Sequence, residues 1–519
     1  MNKFLNGLKN TDNFTYTENG ALTHKTTRSD LLDMFALGGA YRFRSDADVI
    51  VLFNNALKEN EVYALKCLFY LRDARGGQGE RRFFRVAMKW LASTYPEIAR
   101  RNLRHIPEFG RWDDLYLFVD TPLEADAFAF MRGQLALDVH CKTPSLLAKW
   151  LKSENTSSRE SRKLAMKTRE YLNMSHKQYR KTLSVLRARI NVLERLMSEG
   201  RWDEIEFDKI PSKAGLKYKN AFARHDIERM KSEKLVQSYA DFAKDTSTKV
   251  NAKTLYPYEV VAQAIKMYDN AGTVSRWSPR FGQEDTVPMD NTDRLMINKY
   301  WDNLTDYFND ANFNALAVVD TSGSMTWSGG NGGVYPIDVA CALGLYCAEH
   351  SGGPFAGHYV SFSSRPQLIR TEGVDFCDKV RRIYSTNLCE NTNIEATFDM
   401  LLSTAIQNHC TQDDLPQNLI IISDMEFDRG CENVRWGRAN KETLMEGIAR
   451  KWANAGYQMP KLIYWNVAAR QNNIPMLGAG PISFVSGFSP SIFETLMSGK
   501  TGLELMFEKL NSSRYEVIR

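Results

Sequence analysis

The sequence predicts an α + α/β protein: an all-α repeat region over residues 1–290, then a doubly wound parallel-sheet domain over 291–519 with a linking helix at its start. Three observations carry this. Through roughly the first 300 positions, apolar residues recur at three- and four-residue spacing with short polar breaks, the period of helices packed on one face. Through roughly the last 200, short apolar runs without polar alternation take turns with helical patterns, as parallel strands covered on both faces require. The charge also divides: residues 311–519 hold 17 Lys and Arg against 21 Asp and Glu, so the excess in the totals of 67 and 62 lies in the first part.

The helical segments are Val49–Leu57, Glu61–Arg72, Arg81–Thr94, Pro96–His105, Ser175–Gly200 and Tyr256–Tyr268. Gly110-Arg111-Trp112-Asp113-Asp114-Leu115 recurs as Gly200-Arg201-Trp202-Asp203-Glu204-Ile205. Each copy sets a glycine suited to close one helix before a Trp and an acidic pair suited to open the next. That is one helix-turn-helix solution used twice, with the Trp as packing, and it hints at a solenoid. Asn270–Asp290, rich in Gly, Pro and polar residues, reads as a linker or surface loop, and a last helix at about Asn291–Phe308 leads into the sheet.

Two stretches of the helical part suit phosphate. Between Lys149 and Leu235, 22 basic residues meet 12 acidic ones, interleaved with Tyr171, Tyr179, Trp202, Tyr218 and Phe222. Cations beside rings suit a nucleic acid, the charges on phosphates and the rings as stacking platforms. Lys177, Arg180, Lys181, Arg187 and Arg189 are the candidate contacts, and a solvated helix face is the alternative. The second stretch is the loop Arg72–Arg82, where Arg72, Arg75, Arg81 and Arg82 surround three glycines. These arginines can grip phosphates, or Arg72, Asp73 and Glu80 can form ion pairs that lock the turn. No strand precedes the loop, and its G-G-x-G spacing is not a nucleotide-binding fingerprint.

Composition bounds the rest. The chain has 519 residues, 43% hydrophobic and 25% charged, ordinary for a globular protein of two to four domains. No apolar stretch approaches the roughly 18 residues of a membrane span, and Met1–Asn10 lacks the apolar core of a signal peptide. The eight cysteines are scattered without a C-x-x-C pair and read as reduced thiols, so the expected location is cytoplasmic.

In the second part, strands are expected at Leu316–Asp320, His358–Phe362, Leu419–Ser423, Leu462–Val467 and Ile482–Val485. Helices are expected at Pro336–His350, Asn393–Gln407, Lys441–Ala455 and Pro490–Ser498. The first strand ends in Asp320-Thr321-Ser322-Gly323-Ser324, a D-x-S-x-S turn whose carboxylate and two hydroxyls can converge on one hard cation. Oxygen-only donors suit Mg²⁺ or Mn²⁺. Asn391-Thr392-Asn393 opens a helical pattern and Asp424 ends another strand. In a doubly wound sheet, ligands sit at the carboxyl ends of strands, where Asp320 and Asp424 lie. A polar turn is the alternative for the first motif, and helix capping for Thr392.

Asp320, Ser322, Ser324, Thr392 and Asp424, in that order and spacing, resemble the metal-ion-dependent adhesion site of a von Willebrand factor A (vWA) domain. The resemblance implies one Mg²⁺ or Mn²⁺ held by Ser322, Ser324 and Thr392, with Asp320 and Asp424 mostly holding its waters and one position left for a partner's carboxylate. A basic helical region followed by a vWA domain resembles the Ro autoantigen (TROVE) architecture. That resemblance implies HEAT-like repeats in a ring that binds small noncoding or structured RNA. The segments Arg72–Arg82, Gly110–Leu115 and Ile210–Ala214 are also similar to an uncharacterised family pairing such a region with a vWA domain.

The expected function is an RNA-binding scaffold, not an enzyme, with an additional protein partner at the metal. A metal-dependent interaction adaptor without RNA is the first alternative and a metal-dependent phosphoesterase the second. Against turnover, position 322 is Ser where a phosphoryl-transfer enzyme would place a second Asp, and no His stands by. Glu426 is the one candidate base, and it reads as a solvated loop carboxylate. The glycine-rich segment Trp327–Gly333 lacks G-K-[ST] and is no P-loop.

Overall fold

A computed structural model describes residues 13–231, 236–274, 285–309, 313–328, 333–362, 365–386, 392–428, 443–475, 482–500 and 502–519. Asn391, Gly329–Gly332, Lys441 and Met1–Asn10, named above, lie outside these. Contacts divide the chain into two compact units, Met1–Ala64 with Ala252–Asn511, and Leu65–Asn251 with Ser512–Arg519. The sequence expectation divided the chain once, after residue 290; packing instead groups 1–64 and 252–290 with the sheet.

The first unit holds a hairpin of β1 (Phe14–Tyr16) and β2 (Leu22–His24) and a six-stranded sheet. The sheet comprises β3 (Ala315–Asp320), β4 (His358–Phe362), β5 (Gln367–Arg370), β6 (Asn418–Ser423), β7 (Lys461–Asn466) and β8 (Ile482–Ser486), in the order β5-β4-β3-β6-β7-β8. All neighbours are parallel except β4 and β5. The hairpin and β5 were not expected: both are short, and β5 is mostly exposed, so neither carries an apolar run.

Both faces of the sheet are covered, which is why its strands lack polar alternation. Leu316 and Val318 point into a core shared with Phe398, Trp452, Leu419 and Ile421, beneath the helices Ile394–Gln407 and Leu444–Asn454. Val319 points the other way, toward Pro336–His350. A Cβ at Gly344 of that helix would collide with the Val319 side chain, so glycine sets the helix-to-sheet distance there. Each fully buried side chain of this kind contributes about 1.5–3 kcal/mol.

The helix Pro257–Asn270 packs against Pro336–His350, and Thr292–Asp302, which stops before Phe308, packs against Pro257–Asn270 in turn. They are pinned by Arg294, which is fully buried and bonded to Asp285 at 2.6 Å and Asp375 at 2.7 Å. The described ends of the expected linker are thus part of the fold, with Tyr268 donating to Asp285 as well.

The second unit is helical. Its segments include Arg82–Thr94, Glu124–His140, Arg159–Tyr171, His176–Arg189 and Ser212–Arg224. The single helix expected over Ser175–Gly200 is two, because Asn191 takes a left-handed φ of 48° and the chain restarts at Leu193–Ser198. The repeated Trp positions do open short 3₁₀ turns, Trp112–Phe118 and Trp202–Glu204. Both rings are packing groups, Trp112 against Phe130 and Trp202 stacked on His225.

Candidate metal centre

The order of strands reverses at β3: the chain runs outward to β4 and β5, then returns to place β6 on the other side of β3. Carboxyl ends of strands on either side of such a reversal form a crevice. Asp320 closes β3, and Asp424 follows β6 directly. The register sets Val319 opposite Ile422, so Ser423 comes beside Asp320 and its hydroxyl donates to Asp320 Oδ2 at 2.5 Å. The Ser322 N–H donates to Asp320 Oδ1 at 2.9 Å, and the Ser322 and Ser324 hydroxyl oxygens stand 3.0 Å apart.

The carboxylates are deep. Asp320 is fully buried, and burial followed by the charge of Asp424 pushes its carboxyl up to about 7. Burial raises Asp424 as well, against a hydrogen bond from Ser324. Asp424 Oδ2 is buried without a hydrogen-bond partner, and the Arg470 guanidinium stands 3.9 Å from it. Two buried carboxylates, one with an orphaned oxygen, beside two hydroxyls form an oxygen cradle that a hard cation would complete. The residues present therefore fit Mg²⁺ or Mn²⁺. No group of three or more His, Cys, Asp or Glu is placed for a metal among the described residues, and this set is of a different kind, two carboxylates with hydroxyls.

Thr392 is buried and reaches the same loop from another direction. Its carbonyl accepts from Asp428 N at 2.9 Å, and Asn19 Nδ2 stands 3.5 Å from its hydroxyl while donating to Glu426 O at 2.7 Å. Capping of the following helix falls to Asn393, whose Oδ1 accepts from Ala396 N, which leaves the Thr392 hydroxyl clear of that role. Met425, between Asp424 and Glu426, holds a left-handed φ of 67°, a strained state for a non-glycine of the sort that gathers at binding sites.

One expectation is corrected: Glu426 is no solvated loop carboxylate, since it is 1% exposed. Glu426 accepts from Asn473 Nδ2 at 2.8 Å and from the backbone N–H of Glu18 at 2.7 Å. Burial, opposed by the Glu18 N–H, pushes it up to about 7. Glu18 itself pairs with Arg470 at 2.9 Å. Glu18, Asn19, Arg470 and Asn473 gave no signal in the sequence, since no motif or period links them to Asp424. Ser423, one residue before Asp424, was readable as part of the strand end.

The expected phosphate contacts fare differently. Arg72 is buried and bonded by two nitrogens to Asp114, at 2.6 and 2.9 Å, and so is not available to a ligand. Arg81 spans Asp113 and Asp114, Arg75 bonds the carbonyl of Glu108, and Arg82 is half-buried. Asp73 is taken up by Arg514 and Tyr515, and a Cβ at Gly77 would strike the Tyr70 carbonyl. The loop is locked by ion pairs. Arg187 is also structural, donating to the carbonyls of Ala148 at 2.9 Å and Leu151 at 2.8 Å. Lys177, Arg180 and Lys181 are exposed, as is Arg189, which touches the Val139 carbonyl.

Fold and site together define a class: a helical region joined to a doubly wound sheet with oxygen donors gathered at its topological switch. The chain belongs to the family described as Domain of unknown function (DUF2828), which matches residues 17–130 and 134–311. A second model, Domain of unknown function (DUF7788), matches residues 314–516. Uncharacterized protein L728 of Acanthamoeba polyphaga mimivirus is 30% identical over 94% of this chain and 85% of its own length. The crystal structure of the Deinococcus radiodurans Ro (RSR) protein shows a weak likeness, with a TM-score of 0.39 and 15% identity over 94% of this chain and 96% of that one. No described helix is long and apolar enough to cross a membrane.

Proposed function

We infer that the chain is a non-enzymatic binding scaffold whose sheet unit holds one divalent cation in a vWA-type adhesion site. Ser322, Ser324 and Thr392 supply hydroxyl ligands, and Asp320 and Asp424 supply the negative charge. The bound ion offers a Lewis-acidic position to a carboxylate on a protein partner. The observation that carries this reading is the buried, unpartnered Asp424 Oδ2 beside Asp320, Ser322 and Ser324. Against turnover, the candidate base Glu426 is occupied by Asn473 and the Glu18 N–H.

A second activity, RNA binding of the Ro type, is supported by one feature of the helical unit. Arg159, Arg162 and Lys163 on one helix and Lys177, Arg180 and Lys181 on the next are all exposed. If about five such cations engage phosphates, log K falls against log salt with a slope of roughly −3 to −4. Calorimetry with MgCl₂ and MnCl₂, together with anisotropy and gel assays on labelled RNA, tests both parts. The expected result is metal binding that Asp320→Asn removes, and salt-dependent RNA binding without cleavage. Metal binding without RNA binding would leave the adaptor; cleavage lost in Asp320→Asn would make the protein a phosphoesterase.

A further inference from the structure

The helical unit contains an ion cluster whose charges do not balance. Asp113 and Asp114, at the start of the turn Trp112–Phe118, draw in five cations from separate segments. Asp114 takes Arg72 at 2.6 Å, Arg81 at 3.1 Å and Arg85 at 3.7 Å. Asp113 takes Arg81 at 2.6 Å, Arg111 at 3.1 Å and Lys152 at 4.0 Å. Five cations against two carboxylates leave a surplus of three positive charges. A purely structural cluster tends toward neutrality, because each cation drawn from water without a partner is a net cost.

The surplus is localised. Arg72 and Arg81 saturate Asp114, and the Arg111 Cζ sits over the Trp150 ring at 4.1 Å while its Nε bonds Asp113. Arg85 and Lys152 have carboxylates only at 3.7 and 4.0 Å, beyond hydrogen-bond reach, and the remaining contact of Arg85 is to the Asp113 carbonyl at 3.5 Å. Burial pushes the Arg85 guanidinium below its ordinary value, and the charge of Arg81 adds to this. The side chains of Arg85, Arg111 and Lys152 keep 37%, 33% and 29% of their area in solvent, so the cluster has an open side.

We propose that Arg85, Arg111 and Lys152 form a phosphate subsite for an RNA chain, an assignment that deepens the RNA reading above and rests on it. Guanidinium forks match phosphate oxygens in pairs, and here Asp113 and Trp150 fix the orientation of Arg111 before any ligand arrives. An RNA, rather than a phosphorylated protein, suits the exposed cations on two further helices of the same unit, since a long polyanion can engage many at once.

The test substitutes Arg85→Ala and Lys152→Ala together in the full chain, leaving Arg72, Arg81 and both aspartates in place, with thermal melts to confirm folding. A charge-retaining pair, Arg85→Lys with Lys152→Arg, is the control. The probe is a fluorescent uridine oligonucleotide, read by anisotropy from about 50 to 200 mM salt. Affinity should fall about tenfold, the salt slope should flatten by about 1.4, and the control should keep most of both. Unchanged affinity and slope, in a chain that binds the oligonucleotide, overturn the subsite and leave the RNA reading standing on the exposed helices. If the unmodified chain binds no oligonucleotide, the RNA reading fails. Calorimetry with sodium tripolyphosphate then decides the cluster: heat that the double alanine variant loses keeps an anion site and refutes RNA as its ligand, and no heat overturns the site too.

Discussion

The backbone N–H of Glu18 donates to Glu426 Oε2 at 2.7 Å, joining positions 408 apart in sequence. The bond lays the turn of the N-terminal hairpin across the loop that follows Asp424, where Thr17 also donates to the Phe427 carbonyl and Asn19 to that of Glu426. The carboxylate of Glu18 turns instead to Arg470, whose other nitrogen stands 3.9 Å from Asp424 Oδ2. Glu18, Arg470 and Asp424 therefore alternate in sign, and the guanidinium occupies part of the field that a metal cation would use.

Arg470→Gln should accordingly tighten Mg²⁺ binding. Two unit charges at 4 Å interact by about 4 kcal/mol at an effective dielectric of 20. Arg470 is a third exposed and already paired with Glu18, so only a fraction of that acts on the site. The expected gain is about three- to tenfold in affinity, near 1 kcal/mol. Calorimetry with MgCl₂ checks it, and unchanged or weaker binding would show that Arg470 does not compete with the ion.

Asp320→Asn should abolish cation binding and stabilise the metal-free protein. Both follow from depth: Asp320 is fully buried and faces the charge of Asp424, whereas a neutral amide can keep the contacts to Ser322 N and Ser423. Relief of like-charge burial of this kind is worth about 1–2 kcal/mol, a rise of a few degrees in Tm. Melts in EDTA measure the stabilisation. Added MgCl₂ should then raise the Tm of the natural sequence and leave the variant unmoved. A lower Tm for the variant in EDTA would mean that the carboxylate serves the fold.

The parts of this architecture that the residues announce are those fixed within a few positions. Strands β3, β6 and β7 stand out because both faces are buried and their apolar runs are unbroken, and Asp320, Ser322 and Ser324 share one turn. Depth is another matter. Glu426 reads as solvated because its cover comes from Glu18, Asn19 and Asn473, brought there by tertiary packing alone. The same holds for Arg72–Arg82, where the choice between ion pairs and phosphate turns on Asp114 and Arg514, and nothing in the loop names either. The break at Asn191 had one local sign, the tolerance of Asn for left-handed φ, against helical propensity on both sides.

The pair of Arg72 and Asp114 should dominate the acid sensitivity of the helical unit. Burial alone would raise Asp114, but Arg72 and Arg81 outweigh it and hold the carboxyl below its ordinary value. The folded state then binds fewer protons than the unfolded one. The contribution is present in full above about pH 4 and is lost as pH falls through the depressed folded value. Asp114→Asn should cost about 3–5 kcal/mol at neutral pH, since it strands a buried guanidinium. Urea melts from about pH 7 down to 3 should show that deficit shrinking with acid. A constant deficit would mean the amide fails through packing.

Charge substitutions along His176–Arg189 should separate into two kinds. The Arg187 guanidinium donates to Ala148 O at 2.9 Å, Leu151 O at 2.8 Å and the Ser153 hydroxyl at 2.9 Å, tying this helix to the segment that follows Leu147–Trp150. Burial pushes its guanidinium below the ordinary value. Arg187→Ala leaves buried carbonyls without donors and should cost about 2–4 kcal/mol. Lys177, Arg180 and Lys181 are exposed, so replacing all three by Glu should move stability by less than about 1 kcal/mol while reversing the charge offered to RNA. Denaturant melts and anisotropy on both variants make the test: the triple variant should stay folded and lose most RNA affinity, and Arg187→Ala should lose stability first. A triple variant that still binds RNA with the same salt slope would remove this helix from the RNA-binding face.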